Sequence, residues 1–181
     1  MKILCHDQSL RPFLERLPQA FANGEGEVLY DKRNQIRKFV TTEGQTIIVK
    51  RYKKPNGFQK ICYSTFWKNK AEKAYLFADR LLQLGIQTPS PLGAVTLTNA
   101  IGLTEQYFFA SSEDSSQECM ELARNPQLPD REALGDALGA FLVKMHRCGF
   151  LHGDTNLANI LKEDGLSLAD VVKTTVLLSD I

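Results

Sequence analysis

An α+β protein is what the sequence predicts, on three observations: short alternating strands over residues 27–52, a helical apolar period from about Lys68 to Leu84, and a second from about Arg131 to Arg147. The 181 residues are 43% hydrophobic and 24% charged, which supplies a core and argues against disorder.

The strands come first. Glu27-Val28-Leu29-Tyr30 and Ile36-Arg37-Lys38-Phe39-Val40 flank Asp31-Lys32-Arg33-Asn34, a hairpin turn, and Thr42-Glu43-Gly44 turns the chain into a strand from Thr46 to Tyr52. Period two along that strand sends Ile47 and Val49 to one face and Ile48 and Lys50 to the other. Helical spacing then takes over: Ala71, Ala74, Tyr75, Ala78 and Leu82 recur every three to four residues, with Glu72 at the border of the stripe. Gly85 suits the position just past the helix end, and Pro89 and Pro91 forbid its continuation. Two short apolar segments follow, Leu92–Leu97 and Glu105–Ala110, and then a polar loop, Ser111–Ser116. In the second helix Asp130 is the N-cap, Leu134, Leu138, Phe141 and Met145 share one face, and Cys148-Gly149-Phe150 is a glycine-terminated end.

Cys5, Cys62, Cys119 and Cys148 are far apart and form no C-x-x-C pair, and His6, His146 and His152 add no zinc spacing, so reduced thiols of a cytosolic protein are expected. The N-terminus lacks the apolar stretch of a signal peptide, and no run approaches the ~18 apolar residues of a membrane span. The expectation is a soluble, cytoplasmic protein, peripheral at a membrane at most. Net charge is +1, yet eight basic residues between Lys50 and Lys73 stand against one acid, Glu72. Such a run is either a solvated face or a field that gathers an anionic ligand or docks on an anionic membrane. It lacks a recognised nucleic-acid module, and no nucleic-acid partner is expected.

The stretch from Met145 to Leu161 resembles the catalytic loop of kinase-like phosphotransferases, with the core H-G-D-x-x-x-x-N at His152, Gly153, Asp154 and Asn159. Phosphoryl transfer leaves little covalent chemistry to the protein and needs positioning and charge neutralisation. On this resemblance Asp154 takes the proton of the attacking hydroxyl, and Asn159 holds a Mg²⁺ that bridges the phosphates. His152 braces the loop by hydrogen bonds. Ile47-Ile48-Val49-Lys50 stands where such kinases carry V-A-I-K, which makes Lys50 the anchor of the α- and β-phosphates and Ile48 a cover for the adenine. Glu72, on the next helix, is the candidate partner of Lys50. The segment from Glu105 to Ser111 is then the strand and hinge whose backbone meets the adenine edge.

The resemblance is closer than a generic kinase. Gly26-Glu27-Val28-Leu29-Tyr30, Arg33-Asn34-Gln35-Ile36-Arg37, Val49-Lys50-Arg51-Tyr52, Lys70-Ala71-Glu72-Lys73-Ala74-Tyr75 and Gly85-Ile86-Gln87-Thr88-Pro89 together look like the lipopolysaccharide core (Kdo/heptose) kinase family, over residues 1–162. It implies a protein-kinase-like fold: an antiparallel-sheet N-lobe with one helix over residues 1–110, then hinge, first C-lobe helix and catalytic loop over 111–164, with the helical C-lobe cut short. It also implies ATP and Mg²⁺, a small-molecule or glycolipid acceptor, and work near the inner membrane surface. An atypical protein kinase with the same loop, or a non-catalytic nucleotide-binding fragment, is the alternative.

Two features depart from the family. No glycine-rich phosphate loop is present; Asp31-Lys32-Arg33-Asn34 stands there, so the charge of Lys32 or Arg33 has to contribute more. Residues 156–181 resemble an internal segment of Rid-type enamine/imine deaminases, without that family's catalytic arginine strand. The tail, 165–181, is thus either foreign or the strand leading to a second metal carboxylate, Asp180, which lies 21 positions after Asn159.

Overall fold

The computed structural model describes residues 1–113 and 131–150, the isolated positions 125 and 127, and the backbone alone of Gln117–Glu118, Ile160–Lys162 and Val172–Thr174. The chain divides into two compact units, Met1–Phe77 with Ser90–Glu113 and Ala78–Pro89 with Asp114–Ile181.

The first unit is built on a six-stranded sheet: β1 (Lys2–Leu4), β2 (Glu27–Asp31), β3 (Gln35–Val40), β4 (Thr46–Arg51), β5 (Pro91–Thr98) and β6 (Thr104–Ser112). Their order is β1-β5-β6-β4-β3-β2, and every neighbouring pair is antiparallel. Strands β2, β3 and β4 fall where the alternation puts them, β5 and β6 cover the two short apolar segments, and β1 was not expected; the turn after Asp31 closes through the Lys32 N–H to the Asn34 carbonyl at 3.1 Å.

Alternation also sorts the two faces. Phe39, Ile47, Val49, Val95, Phe108 and Ala110 turn to one side, and α1 (Arg11–Ala22) covers them with Leu14, Leu17, Ala20 and Phe21. Leu14 and Leu17 are almost wholly buried, and each such side chain contributes about 1.5–3 kcal/mol. The packing is close enough that a Cβ on Gly93 of β5 would stand 2.5 Å from Leu14 Cδ1. The opposite face carries Leu4, Ala94, Phe109, Lys50 and Ile36 in one cross-strand row, each opposite the next in the ladder. Here α3 (Lys70–Gln83) packs, with Ala71 and Tyr75 against Ala94, Tyr107 and Tyr52.

The expected lobe with one helix is therefore corrected to one with three, since α1 and α2 (Gly57–Thr65) join α3. The apolar period of α1 was present at Leu10, Leu14, Leu17 and Phe21, but Pro12 and Pro18 argue against a helix. Pro12 sits in the first turn, where no N–H is needed, and tertiary burial outweighs the one bond Pro18 removes. Only nine residues long, α2 is held by a capping box in which Asn56 Oδ1 accepts the Gln59 N–H at 2.8 Å and Gln59 Oε1 accepts the Asn56 N–H at 3.2 Å.

In the second unit, α3 ends as the glycine predicts. Gly85 takes φ 68°, and the Ile86 N–H reaches back to the Leu81 carbonyl at 2.9 Å. Ile86 and Leu81 pack with Phe141 and Met145 of α4 (Arg131–Arg147), and Lys144 Nζ donates to the Gly85 carbonyl at 2.7 Å. Helix α4 repeats the motif at Gly149, φ 80°, with the Phe150 N–H on the Met145 carbonyl. Its expected N-cap, Asp130, lies outside the described residues. A three-stranded antiparallel sheet joins β7 (Gln117–Glu118), β8 (Ile160–Lys162) and β9 (Val172–Thr174) in that order. Among the described residues no helix is long and apolar enough to cross a membrane, and Cys5, Cys62 and Cys148 are free thiols.

Candidate active site

Lys50 lies on the face of β4 opposite the α1 core, as the strand period predicts, with Ile48 two residues before it and Tyr52 two residues after. Its ammonium stands 4.8 Å from the centre of the Tyr52 ring. Tyr52 stacks on Tyr107 at 5.3 Å, and Tyr107 meets Tyr63 of α2 edge-on at 5.8 Å. Burial among these rings, and then the charge of Lys70, press the Lys50 pKa down from 10.5 to about 8. No carboxylate among the described residues forms an ion pair with it.

Glu72, the expected partner of Lys50, is buried at the third position of α3 and bound elsewhere. One carboxylate oxygen meets Lys2 Nζ at 2.6 Å, and the other accepts the Asn69 N–H at 3.2 Å. Asn69 Oδ1 in turn accepts the Glu72 N–H at 3.0 Å, a reciprocal cap, and its Nδ2 donates to Thr96 Oγ1 at 2.7 Å. Lys2 and Thr96 are opposed residues of β1 and β5. This anchors the start of α3 over the β1–β5 side of the sheet, whereas β4 lies beyond β6. With strands about 4.8 Å apart, β5 is about 10 Å from β4 and β1 about 14 Å. The expected Lys50–Glu72 ion pair is therefore replaced by Lys2–Glu72.

Positive charge gathers where the glycine-rich loop is missing. Lys70, at the first position of α3, has its pKa lowered by burial and then by Arg33 and Lys73, while Arg33 works against the burial that pushes the Tyr107 pKa up to about 12. The turn of residues 31–34 and the start of α3 thus place Arg33 and Lys70 within each other's field, and Lys70 within that of Lys50. Asn34 Oδ1 holds the turn to the end of β4 through the Lys53 N–H at 3.0 Å.

Ile48 is half-buried between Lys38 and Ser111, its partners on β3 and β6, and so shares the Lys50 face. The backbone of Glu105–Ser111 is strand, as expected, throughout. It forms the body of β6, laddered with β5 along this stretch and with β4 from Phe108 onward, which occupies its backbone groups; the chain leaves the sheet after Ser112. His152, Asp154 and Asn159 of the H-G-D-x-x-x-x-N segment, and Asp180, lie outside the described residues. Of the backbone beyond Asn159 only β8 and β9 are described, with Ile160 opposite Thr174. Residue-by-residue reading missed Tyr52 and Lys70; the signal for Tyr52 was its i+2 spacing from Lys50.

No family model matches the sequence, and no curated protein does. Among solved structures the chain is similar to WaaP in complex with acyl carrier protein, at TM-score 0.62 and 16% identity, over 97% of this chain and 70% of that one. It is also similar to the Rio2 kinase of Chaetomium thermophilum, solved as an ADP/Mg²⁺-phosphoaspartate complex, at TM-score 0.54 and 15% identity over 88% of this chain, and it spans half the length of that kinase. Six antiparallel strands, the α3 helix beside them and these likenesses agree on one conclusion: the chain has a protein-kinase-like fold.

Proposed function

We propose that the protein is an ATP-dependent phosphotransferase acting on a sugar hydroxyl of the lipopolysaccharide inner core. The observation that carries this is Lys50: a buried cation beside the Tyr52 ring, on the face of a kinase-like sheet opposite the α1 core, with no carboxylate paired to it among the described residues. Burying an uncompensated ammonium costs free energy, and a phosphate group is the partner that offsets it. ATP fits this requirement, with Arg33 and Lys70 supplementing Lys50 in place of a glycine-rich loop. Ile48 would pack on the adenine, and Asn159 would hold the Mg²⁺, which supplies charge neutralisation at the phosphates.

Asp154 then acts as the base for the acceptor hydroxyl. Asp180, 21 positions after Asn159, would supply a second metal carboxylate. The acceptor assignment rests on the residue blocks shared with the lipopolysaccharide core kinase family. The test is transfer of ³²P from γ-labelled ATP to lipopolysaccharide core oligosaccharide, run beside a generic protein substrate. Labelled sugar that disappears with Asp154→Asn supports the proposal; labelled protein alone makes the chain a protein kinase, and no nucleotide binding at all overturns both.

A further inference from the structure

Helix α2 turns its polar and half-buried side inward. Lys60 pairs with Glu105 of β6 at 2.6 Å, the Ser64 hydroxyl accepts the Thr104 N–H at 2.8 Å, and Tyr63 meets Tyr107. What it leaves outside is apolar: Phe58 is 70% exposed, Ile61 52%, Phe66 86% and Trp67 58%. Phe58 and Ile61 are neighbours on one helical face, and Phe66 and Trp67 follow where the helix ends. Four large apolar side chains exposed within ten residues of chain is unusual for a soluble surface and calls for an occupant.

Charge says which occupant. Lys53 and Lys54 precede α2, Lys68 follows Trp67, and Lys73 lies one turn into α3; all four are exposed, and none has an ion pair among the described residues. No acidic residue occurs anywhere between Glu43 and Glu72. Exposed aromatics bracketed by lysines are what an anionic lipid interface selects: indole and phenyl rings enter the headgroup boundary while ammonium groups stay at the phosphates.

We infer that α2 and the segment to Lys68 form a membrane-docking element, in which Phe58, Ile61, Phe66 and Trp67 insert into the interface of a bilayer containing anionic phospholipid. This extends the reading of a glycolipid acceptor, but it rests on exposed side chains that take no part in the nucleotide site, so its test is independent of catalysis.

Trp67 is the only tryptophan, so the intrinsic emission of the whole chain reports on this site. The chain is titrated with extruded phosphatidylcholine vesicles, with and without phosphatidylglycerol, and bound protein is sedimented. The expected result is a blue shift and sedimentation with the anionic vesicles, and little of either with the neutral ones. Phe58→Ser with Phe66→Ser should abolish sedimentation, and Lys53→Gln, Lys54→Gln and Lys68→Gln together should remove the preference for anionic lipid. These positions are exposed, so the melting temperature and nucleotide binding should stay as in the parent. Absence of any shift with either vesicle overturns the inference. So does a blue shift that appears without lipid as protein concentration rises, which would make the patch a contact between copies.

Discussion

Lys2 and Glu72 form an ion pair at 2.6 Å that ties the first strand of the sheet to the first turn of α3. Glu72 therefore has two structural tasks, holding Lys2 and closing the cap on Asn69. Glutamine can do the second without the first. We expect Glu72→Gln to lower stability by less than about 1 kcal/mol, since Lys2 is well exposed. Glu72→Ala removes both and leaves a buried Asn69 N–H without its acceptor, a loss of about 1–2 kcal/mol. Urea denaturation of the two variants checks the ordering.

Lys50 costs the fold something. Replacing the ammonium by an isosteric apolar chain, Lys50→Met, should stabilise the protein by about 3 kcal/mol at most at pH 7, and should abolish Mg·ATP binding. A melting curve and a nucleotide titration on the same variant check the pair of effects. Destabilisation together with unchanged affinity would show that Lys50 is a structural residue.

The pH dependence follows from the same lysine. Its folded pKa of about 8 lies below its ordinary 10.5, so between these values the unfolded chain binds more protons. The penalty is full below pH 8 and is relieved as pH rises through the window. The stability gap between Lys50→Met and the parent should therefore be widest at pH 7 and shrink by pH 10. Measuring the gap cancels the opposing effect of Tyr52 and Tyr107, whose burial favours the protonated phenols in the folded state. Nucleotide affinity should fall over the same range, by up to about tenfold per pH unit, as Lys50 loses its charge.

Gly93 is where α1 presses on the sheet. A methyl group there meets Leu14, which is almost wholly buried and has nowhere to go. Gly93→Ala should destabilise by about 1–3 kcal/mol, read as a lowered denaturation midpoint with unchanged slope.

Local backbone geometry made much of this legible from sequence. The period of two put Lys50 and Ile48 on one face and Ile47 and Val49 on the other, and the glycines at 85 and 149 ended their helices as expected. Helix α4 runs over the residues its apolar face and glycine end predicted. For Asp154 and Asn159 the sequence alone speaks, through their spacing. Helix α1 was hidden because a proline weighs against a helix locally, while a sheet face that must be covered weighs for it globally.

Tertiary structure alone decided the partner of Glu72. The sequence places it on the right helix and at the edge of the right stripe, but which lysine it meets depends on which strands that helix crosses. That is set by Ala71 and Tyr75 packing on Ala94 and Tyr107, and by β1 joining the far side of β5. No periodicity along the chain encodes a distance across the sheet. The aromatic setting of Lys50 has the same origin, since Tyr52, Tyr107 and Tyr63 come together from three separate elements. Burial of Lys50 itself, and then the charge of Lys70, is what lowers its affinity for a proton.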